Sequence, residues 1–170
     1  MKKTINKRLP RSREAARKAI CLDVIAQVKA GRIRAKRGTY VNPDGQNVRD
    51  ASTCQACAVG SMFVSLCTKV RWVQDNGFAS EVFYPLETWF TIQELYDIEN
   101  AFEARDVNGD SPDTVLTYRA KIGQRAGRDT TRQRRDETTL ISIMANIVRN
   151  GRFLPEDLRG PLARTPYKYK

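Results

Sequence analysis

The sequence contains no histidine. Without an imidazole, the chain cannot form a Ser–His–Asp or Cys–His catalytic site, and it cannot ligate a metal ion through a histidine nitrogen. The two common glycine-rich patterns that bind nucleotide phosphates are also absent. These absences exclude several large classes of enzyme, and we expect a non-enzymatic protein without a cofactor.

Long hydrophobic runs are absent as well. No apolar stretch reaches the roughly 18–20 residues that span a bilayer, so we expect no association with a membrane. The N-terminus, MKKTINKRLPRSREAARKAI, begins with positive charge but lacks the apolar core and the cleavage site of a secretory signal. We therefore expect a cytoplasmic protein in which the four cysteines are reduced.

Charge is abundant and unevenly distributed. The 170 residues include 30 Lys and Arg and 19 Asp and Glu, which gives a net charge of +11. Residues 1–40 carry 13 basic and 2 acidic side chains, residues 41–116 carry 4 and 12, and residues 117–170 carry 13 and 5. Two basic ends around an acidic middle indicate either internal charge complementarity or a surface that binds a polyanion such as nucleic acid.

The basic residues are densest in two arginine-rich segments, residues 32–37 and residues 125–135. The planar guanidinium of arginine suits bidentate contacts with phosphate. Cations alternate along the first segment, so an extended strand would place them on one face. A solvated basic face without a partner is the alternative. We predict that nucleic acid or another polyanion binds to Arg32, Arg34, Lys36, Arg37, Arg125, Arg128, Arg132, Arg134 and Arg135.

The four cysteines are candidate metal ligands. Cys54 and Cys57 form a C-x-x-C pair, and Cys67 and Cys21 would complete a four-thiolate zinc site. However, the pair lies in an apolar stretch rather than in a turn, and a second C-x-x-C is missing. Thioredoxin-like redox chemistry would require a preceding βαβ unit, which the pattern does not show. We therefore interpret the cysteines as buried structural thiols, with zinc binding and redox chemistry as alternatives.

One apolar segment is expected to form the centre of the fold. Residues 52–68, STCQACAVGSMFVSLCT, are the longest nearly uncharged run, and the S-x-x-Q pattern at its start matches a capping box. A helix that is apolar on nearly every face is buried. We predict a buried central helix over this range, with small residues that allow neighbouring elements to approach closely.

Other helices are predicted on either side of it. Ser12 would cap a helix to about residue 30, and a last helix would end before Gly151. Thr91 begins a second capping box, TIQE, which opens a helix over residues 91–105. The apolar positions of that helix indicate the side chains that it buries: Ile92, Leu95, Tyr96, Ile98 and Phe102.

Two segments between the predicted helices carry the signals of a hairpin. The sequence Asn-Pro-Asp-Gly at positions 42–45 has strong turn chemistry and predicts a hairpin within residues 32–48. Asn76-Gly77 is a second turn signal, which lies between β-type stretches at residues 70–73 and 81–84. A loop that wraps on the core is the alternative for this second region.

The expected fold is therefore α+β and mainly α. We predict a single compact domain of about four to five helices around the central helix, with one or two short hairpins. This domain would cover residues 12–155. Residues 1–11 would form a basic flexible arm, and residues 156–170 a basic tail that contains prolines.

Two parts of the sequence resemble small phage and prophage proteins of unknown function. Residues 28–48 followed by residues 54–64 are similar to a GxYxQxxGxL segment that precedes a C-C-L-G-type helix in those proteins. Residues 90–103 followed by residues 141–155 resemble their downstream half. Ala58 stands here where that family usually has leucine after the cysteine. The matching segments make up just over a third of the chain.

The resemblance implies a phage setting and transfers no activity. Small phage accessory proteins without catalytic residues often block host machinery, including CRISPR and other defences. We therefore expect a counter-defence (anti-CRISPR-like) or host-takeover protein in the host cytoplasm, which binds nucleic acid or a nucleoprotein complex. Two alternatives are an inhibitor that contacts a host defence protein directly through the acidic and aromatic middle, and a sponge for a nucleotide second messenger.

Overall fold

The computed structural model describes residues 9–44, 48, 51–70, 79–103 and 132–158. Within these ranges the chain is mainly helical and carries a small three-stranded sheet, so the predicted α+β, mainly α class is confirmed. The helices are α1 (Arg13–Lys29), α2 (Ala58–Val70), α3 (Ala79–Leu86), α4 (Ile92–Glu103) and α5 (Arg132–Asn150), the strands are β1 (Ile33–Ala35), β2 (Val41–Pro43) and β3 (Cys54–Ala56), and a short 3-10 helix covers Pro155–Asp157.

Most of the predicted arm and tail lies outside the described residues. The structure describes neither residues 1–8 nor residues 159–170. The predicted division of the chain at residues 12 and 155 therefore stays a prediction.

Helix α1 begins and ends where local sequence signals indicate. The Ser12 hydroxyl accepts a hydrogen bond from the Ala15 amide at 3.2 Å, which satisfies one of the free N–H groups at the helix start. Gly31 follows the helix with a φ of 73°, a left-handed conformation that favours glycine. The face that α1 turns to the core carries Ala16, Ile20, Cys21, Val24 and Val28.

Helix α4 begins with the predicted capping box. The Glu94 amide donates to Thr91 Oγ1 at 3.1 Å, and the Thr91 amide donates to Glu94 Oε2 at 2.9 Å. Leu95 is buried as expected. The prediction was wrong for Ile92 and Tyr96, which are 45% and 52% exposed, because they lie at the margin of the face that α4 turns to the core.

The predicted start of the central helix is wrong. Residues 54–56 form β3, and α2 begins only at Ala58. The Ser52 hydroxyl donates to the Asp44 carboxylate instead of capping a helix, and the Thr53 amide donates to the same oxygen at 3.0 Å. The hydrogen bond from Ser52 has the largest effect, and together these bonds lower the pKa of Asp44 to about 2. The stabilisation that they give is therefore present above about pH 4 and is lost as the pH falls towards 2.

The rest of α2 is buried at the centre of the fold, as predicted. Its apolar side chains lie in one cluster with those of the other helices and the sheet. Ser65 Oγ donates to Asp23 Oδ2 on α1 at 2.7 Å. Gly60 allows the backbone before β2 to pass very close, since a Cβ at this position would lie 1.6 Å from the Tyr40 carbonyl oxygen.

The strand order in the sheet is β1-β3-β2. β1 runs parallel to β3, with Ile33 opposite Cys54, and β2 runs antiparallel to β3, with Val41 opposite Ala56. The hairpin predicted within residues 32–48 is therefore wrong, because β3 lies between the two strands that would form it. Pairing with β3 on both sides satisfies more backbone groups than a direct β1–β2 pair could.

The second hairpin is also not formed as predicted. Residues 81–84 belong to α3, and residues 71–73 lie outside the described part of the chain. The apolar residues Val82 and Leu86 are four positions apart, so a helix places both on one face, and both are fully buried. Burial of this face overrides the β-type composition of the stretch.

Arg17 connects α1 to three other parts of the fold. Its guanidinium donates to the Trp89 carbonyl at 2.6 Å, to the Gly151 carbonyl at 3.2 Å and to Glu94 Oε2 at 2.7 Å. The same group lies 5.2 Å from the centre of the Phe90 ring. One side chain therefore joins the start of α4, the preceding turn and the end of α5 to α1.

Replacing Arg17 with alanine should destabilise the fold strongly. The change removes three hydrogen bonds and leaves the half-buried Glu94 carboxylate without its cation, so we expect a loss of about 2–4 kcal/mol in the free energy of unfolding. Urea denaturation measures this loss. The matched control is Arg13→Ala, which removes one exposed bond to the Thr88 carbonyl and should cost less than about 1 kcal/mol. Equal losses in the two variants would contradict the assigned role of Arg17.

Candidate polyanion-binding surface

The outer face of the sheet carries three cations from β1 and its flanks. Ile33 and Ala35 point into the core and are buried, whereas Arg34 and Lys36 are exposed. Arg32 is half-buried at the start of the strand. The alternation is maintained by the pairing with β3, because the amide of Lys36 and the carbonyl of Arg32 both still bond to that strand. The strand therefore presents a line of positive charge towards solvent.

Two uncharged polar residues continue this face across the sheet. Gln55 on β3 lies opposite Arg34 on one side and opposite Asn42 on the other. Lys36 Nζ donates to Gln55 Oε1 at 2.8 Å, which orients the amide. Gln55 and Asn42 were not predicted from the sequence, because the pattern around Gln55 indicates a helix and that around Asn42 a turn. The alternation of buried Cys54, half-buried Gln55 and buried Ala56 is the signal that could have identified a strand.

The two arginine-rich segments meet through an ion pair. Arg37 Nε lies 3.1 Å from Asp136 Oδ1, and the side chains are 20% and 5% exposed. Asp136 is in the second turn of α5, so this pair holds the start of that helix beside the end of β1. Arg37, a predicted ligand for phosphate, is thus engaged as the cation that positions α5.

The predicted cations of the second segment, residues 125–135, precede α5 in the sequence or belong to its first turn. Arg132, Arg134 and Arg135 belong to its first turn, and Arg134 is exposed. Arg125 and Arg128 lie outside the described residues. The structure thus brings residues 32–37 together with residues 132–136, which are far apart in the sequence.

Carboxylates on two helices hold the loop after β1 in place. Arg37 is bound by Asp136 of α5, and the amide of the next residue, Gly38, donates to the Glu103 carboxylate of α4, at 2.8 Å from each oxygen. Gly38 has a φ of 71°, which favours glycine. The loop is fixed from both sides, so the cations of β1 are presented by a rigid element.

The four cysteines do not converge on a common point. Cys21, Cys54, Cys57 and Cys67 are all buried, and none is in a disulfide. In the described ranges, the one group of at least three potential metal ligands contains a single cysteine, Cys57, with Glu99 and Glu103, and its ligand atoms lie within 4.8 Å of one another. The four-thiolate zinc arrangement considered from the sequence is therefore not formed.

The sulfur of Cys57 caps the start of α2. Its sulfur accepts a hydrogen bond from the Gly60 amide at 3.3 Å, and Glu99 Oε2 lies 3.4 Å from the Val59 amide, which donates to it. Burial, followed by the charge of Glu99, raises the pKa of Cys57 far above its ordinary value. Both effects outweigh the helix dipole, which by itself would favour a thiolate. Burial and the neighbouring carboxylate therefore favour the protonated thiol at neutral pH.

No family model, curated protein or solved structure matches this chain in comparisons with known proteins. In the part of the chain that the structure describes, none of the helices combines the length and apolar character needed to cross a membrane.

The native thiols should react very slowly with a thiol reagent such as DTNB. All four are buried, which blocks access of the reagent, and burial raises the pKa of Cys54 to about 11, so at pH 8 this thiol is protonated. We expect native reaction rates on the order of 100-fold below those in urea, where all four should react. The control is Ala26→Cys, which adds a thiol at an exposed position of α1 and should react at once. Rapid native reaction of two wild-type thiols would contradict the structural role.

Proposed function

We propose that this protein binds nucleic acid, free or within a nucleoprotein complex, through a basic surface formed by β1 and the first turns of α5. The supporting observation is the ion pair between Arg37 and Asp136, which joins two basic segments from opposite ends of the sequence. This pair offsets the first acidic charge of α5. Cations collected on one side of a protein raise the local concentration of polyanions and their association rate.

The chemistry of the surface fits contacts with the phosphate backbone. Arg34, Lys36 and Arg134 are exposed, and arginine supplies a planar fork of donors for phosphate oxygens. Binding of this kind releases counterions and depends steeply on salt concentration. It requires no catalytic group, in agreement with the proposal that the protein is not an enzyme.

The biological setting that we propose follows from the resemblance to phage and prophage proteins. A phage accessory protein in the host cytoplasm can block a host defence or redirect host machinery by occupying nucleic acid or a nucleoprotein complex. Occupation alone suffices for such a counter-defence or host-takeover role. A rigid basic surface and a sequence without histidine are consistent with it.

Reversing two charges on β1 should weaken binding to nucleic acid. The variant Arg34→Glu/Lys36→Glu should bind labelled DNA or RNA at least about tenfold more weakly in fluorescence anisotropy. The slope of log K against log salt is negative, and it should become shallower by about 1.4–1.8 because two phosphate contacts are lost. Excess cyclic dinucleotide in the same assay tests the second-messenger alternative, which predicts displacement at low competitor concentration.

The matched control is Arg11→Glu/Arg152→Glu. Both arginines are exposed, and the net charge changes by the same amount. Arg11 precedes α1 and Arg152 follows α5, whereas β1 follows the other end of α1, roughly 25 Å away along that helix. Equal weakening in the two double variants would mean that net charge acts rather than the proposed surface. Absence of wild-type binding to both DNA and RNA would overturn the proposal.

A second candidate function is direct binding to a host protein, and exposed aromatic side chains favour it. Tyr84 on α3 is 70% exposed, and Tyr96 and Ile92 on α4 are about half exposed. Tyr96 lies against the ring of Phe83, with 5.4 Å between centroids, so its position is fixed by packing. Tyrosine is enriched at protein interfaces, and the acidic middle of the chain favours a basic partner.

The role of these tyrosines is tested by the variant Tyr84→Ala/Tyr96→Ala. If they bind a host protein, capture of that protein from a nuclease-treated host lysate should be lost in the variant and should resist high salt in the wild type. Anisotropy with nucleic acid should be unchanged. Capture that disappears with nuclease treatment in the wild type would instead favour the basic surface.

A further inference from the structure

The cations on β1 and its flanks are spaced like the phosphates of an extended nucleotide strand. Residues two apart on one face of an extended strand are separated by roughly 6.6 Å, so Arg32, Arg34 and Lys36 span roughly 13 Å. The spacing between neighbouring cations is close to the spacing between successive phosphates of an extended nucleotide strand. Both flanking residues remain within the hydrogen-bond ladder to β3, which keeps the spacing regular.

A lateral row of hydrogen-bonding groups begins at the middle cation. Arg34, Gln55 and Asn42 are direct neighbours across three adjacent strands. Neighbouring strands are about 4.8 Å apart, so the row extends roughly 10 Å from the line of cations. Guanidinium and amide side chains are the groups that form paired hydrogen bonds with base edges, arginine with guanine and Asn or Gln with adenine.

The shape of this surface favours a single strand over a duplex. In a duplex the base edges lie within grooves, and a protein element must protrude into a groove to reach them. Here the row lies flat on the face of a sheet, and α5 packs against β1. Unstacked bases of a single strand can lie across such a face and expose their edges to it.

We infer that the outer face of the sheet binds single-stranded nucleic acid, with the phosphates along Arg32, Arg34 and Lys36 and the base edges over Gln55 and Asn42. This inference rests on the proposed function and adds the class of ligand and a basis for base preference. The row contains no aromatic ring, so affinity comes from phosphate contacts and hydrogen bonds rather than from base stacking.

The inference is tested with single-stranded homopolymers and with a duplex of equal length. The wild type should bind at least one homopolymer about tenfold more tightly than the duplex, and it should distinguish purine from pyrimidine strands. In the variant Gln55→Ala/Asn42→Ala, the ratio of the affinities for the preferred and the other strand should fall by a factor of about five or more. The salt slope should stay the same, since no charge is removed.

Each outcome separates the inference from the proposed function. Tighter binding to the duplex, or a base preference that survives in the double variant, overturns the single-strand inference and leaves the polyanion surface intact. Absence of binding to every probe overturns both. Thermal melting checks that the double variant is folded. Asn42→Ala alone, at an exposed position, should give part of the same loss if Gln55→Ala disturbs β3.

Discussion

The guanidinium of Arg17 is the contact on which the arrangement of the helices depends. It binds Glu94 and thereby also the capping box of α4, and it binds the carbonyl of Gly151 at the end of α5. Helices α1 and α5 pack along much of their lengths. Arg17 fixes this pair at the end of α5, and the ion pair between Arg37 and Asp136 fixes the other end beside β1. The orientation of the basic surface follows from these two contacts.

Local signals in the sequence predicted the parts of the fold that local contacts decide. Ser12 and Thr91 cap helices because each hydroxyl finds its partner within three residues. Ser52 has the same pattern, yet its hydroxyl binds Asp44, and the following residues pair with two strands. A capping box indicates what a segment can do alone, whereas the competing strand pairing depends on residues that are distant in the sequence.

The candidate site shows the same division. The alternation of Arg32, Arg34 and Lys36 could be read from the sequence, because side chains in a strand alternate whatever the neighbour is. Gln55 and Asn42 could not be identified, since their place beside Arg34 depends on the strand register. The ion pair of Arg37 with Asp136 could not be predicted either, because the two residues are far apart in the sequence. Pairing across such sequence distances is decided by the whole fold.

The position of β3 between β1 and β2 has a consequence for the order in which the chain folds. β1 and β2 leave the ribosome first, but neither has a sheet partner until β3 follows. The start of α5, which lies far along the chain from β1, must then dock beside it. Contacts between such distant segments form late in folding. A nascent or truncated chain that lacks α5 therefore carries the basic residues of β1 without the full surface.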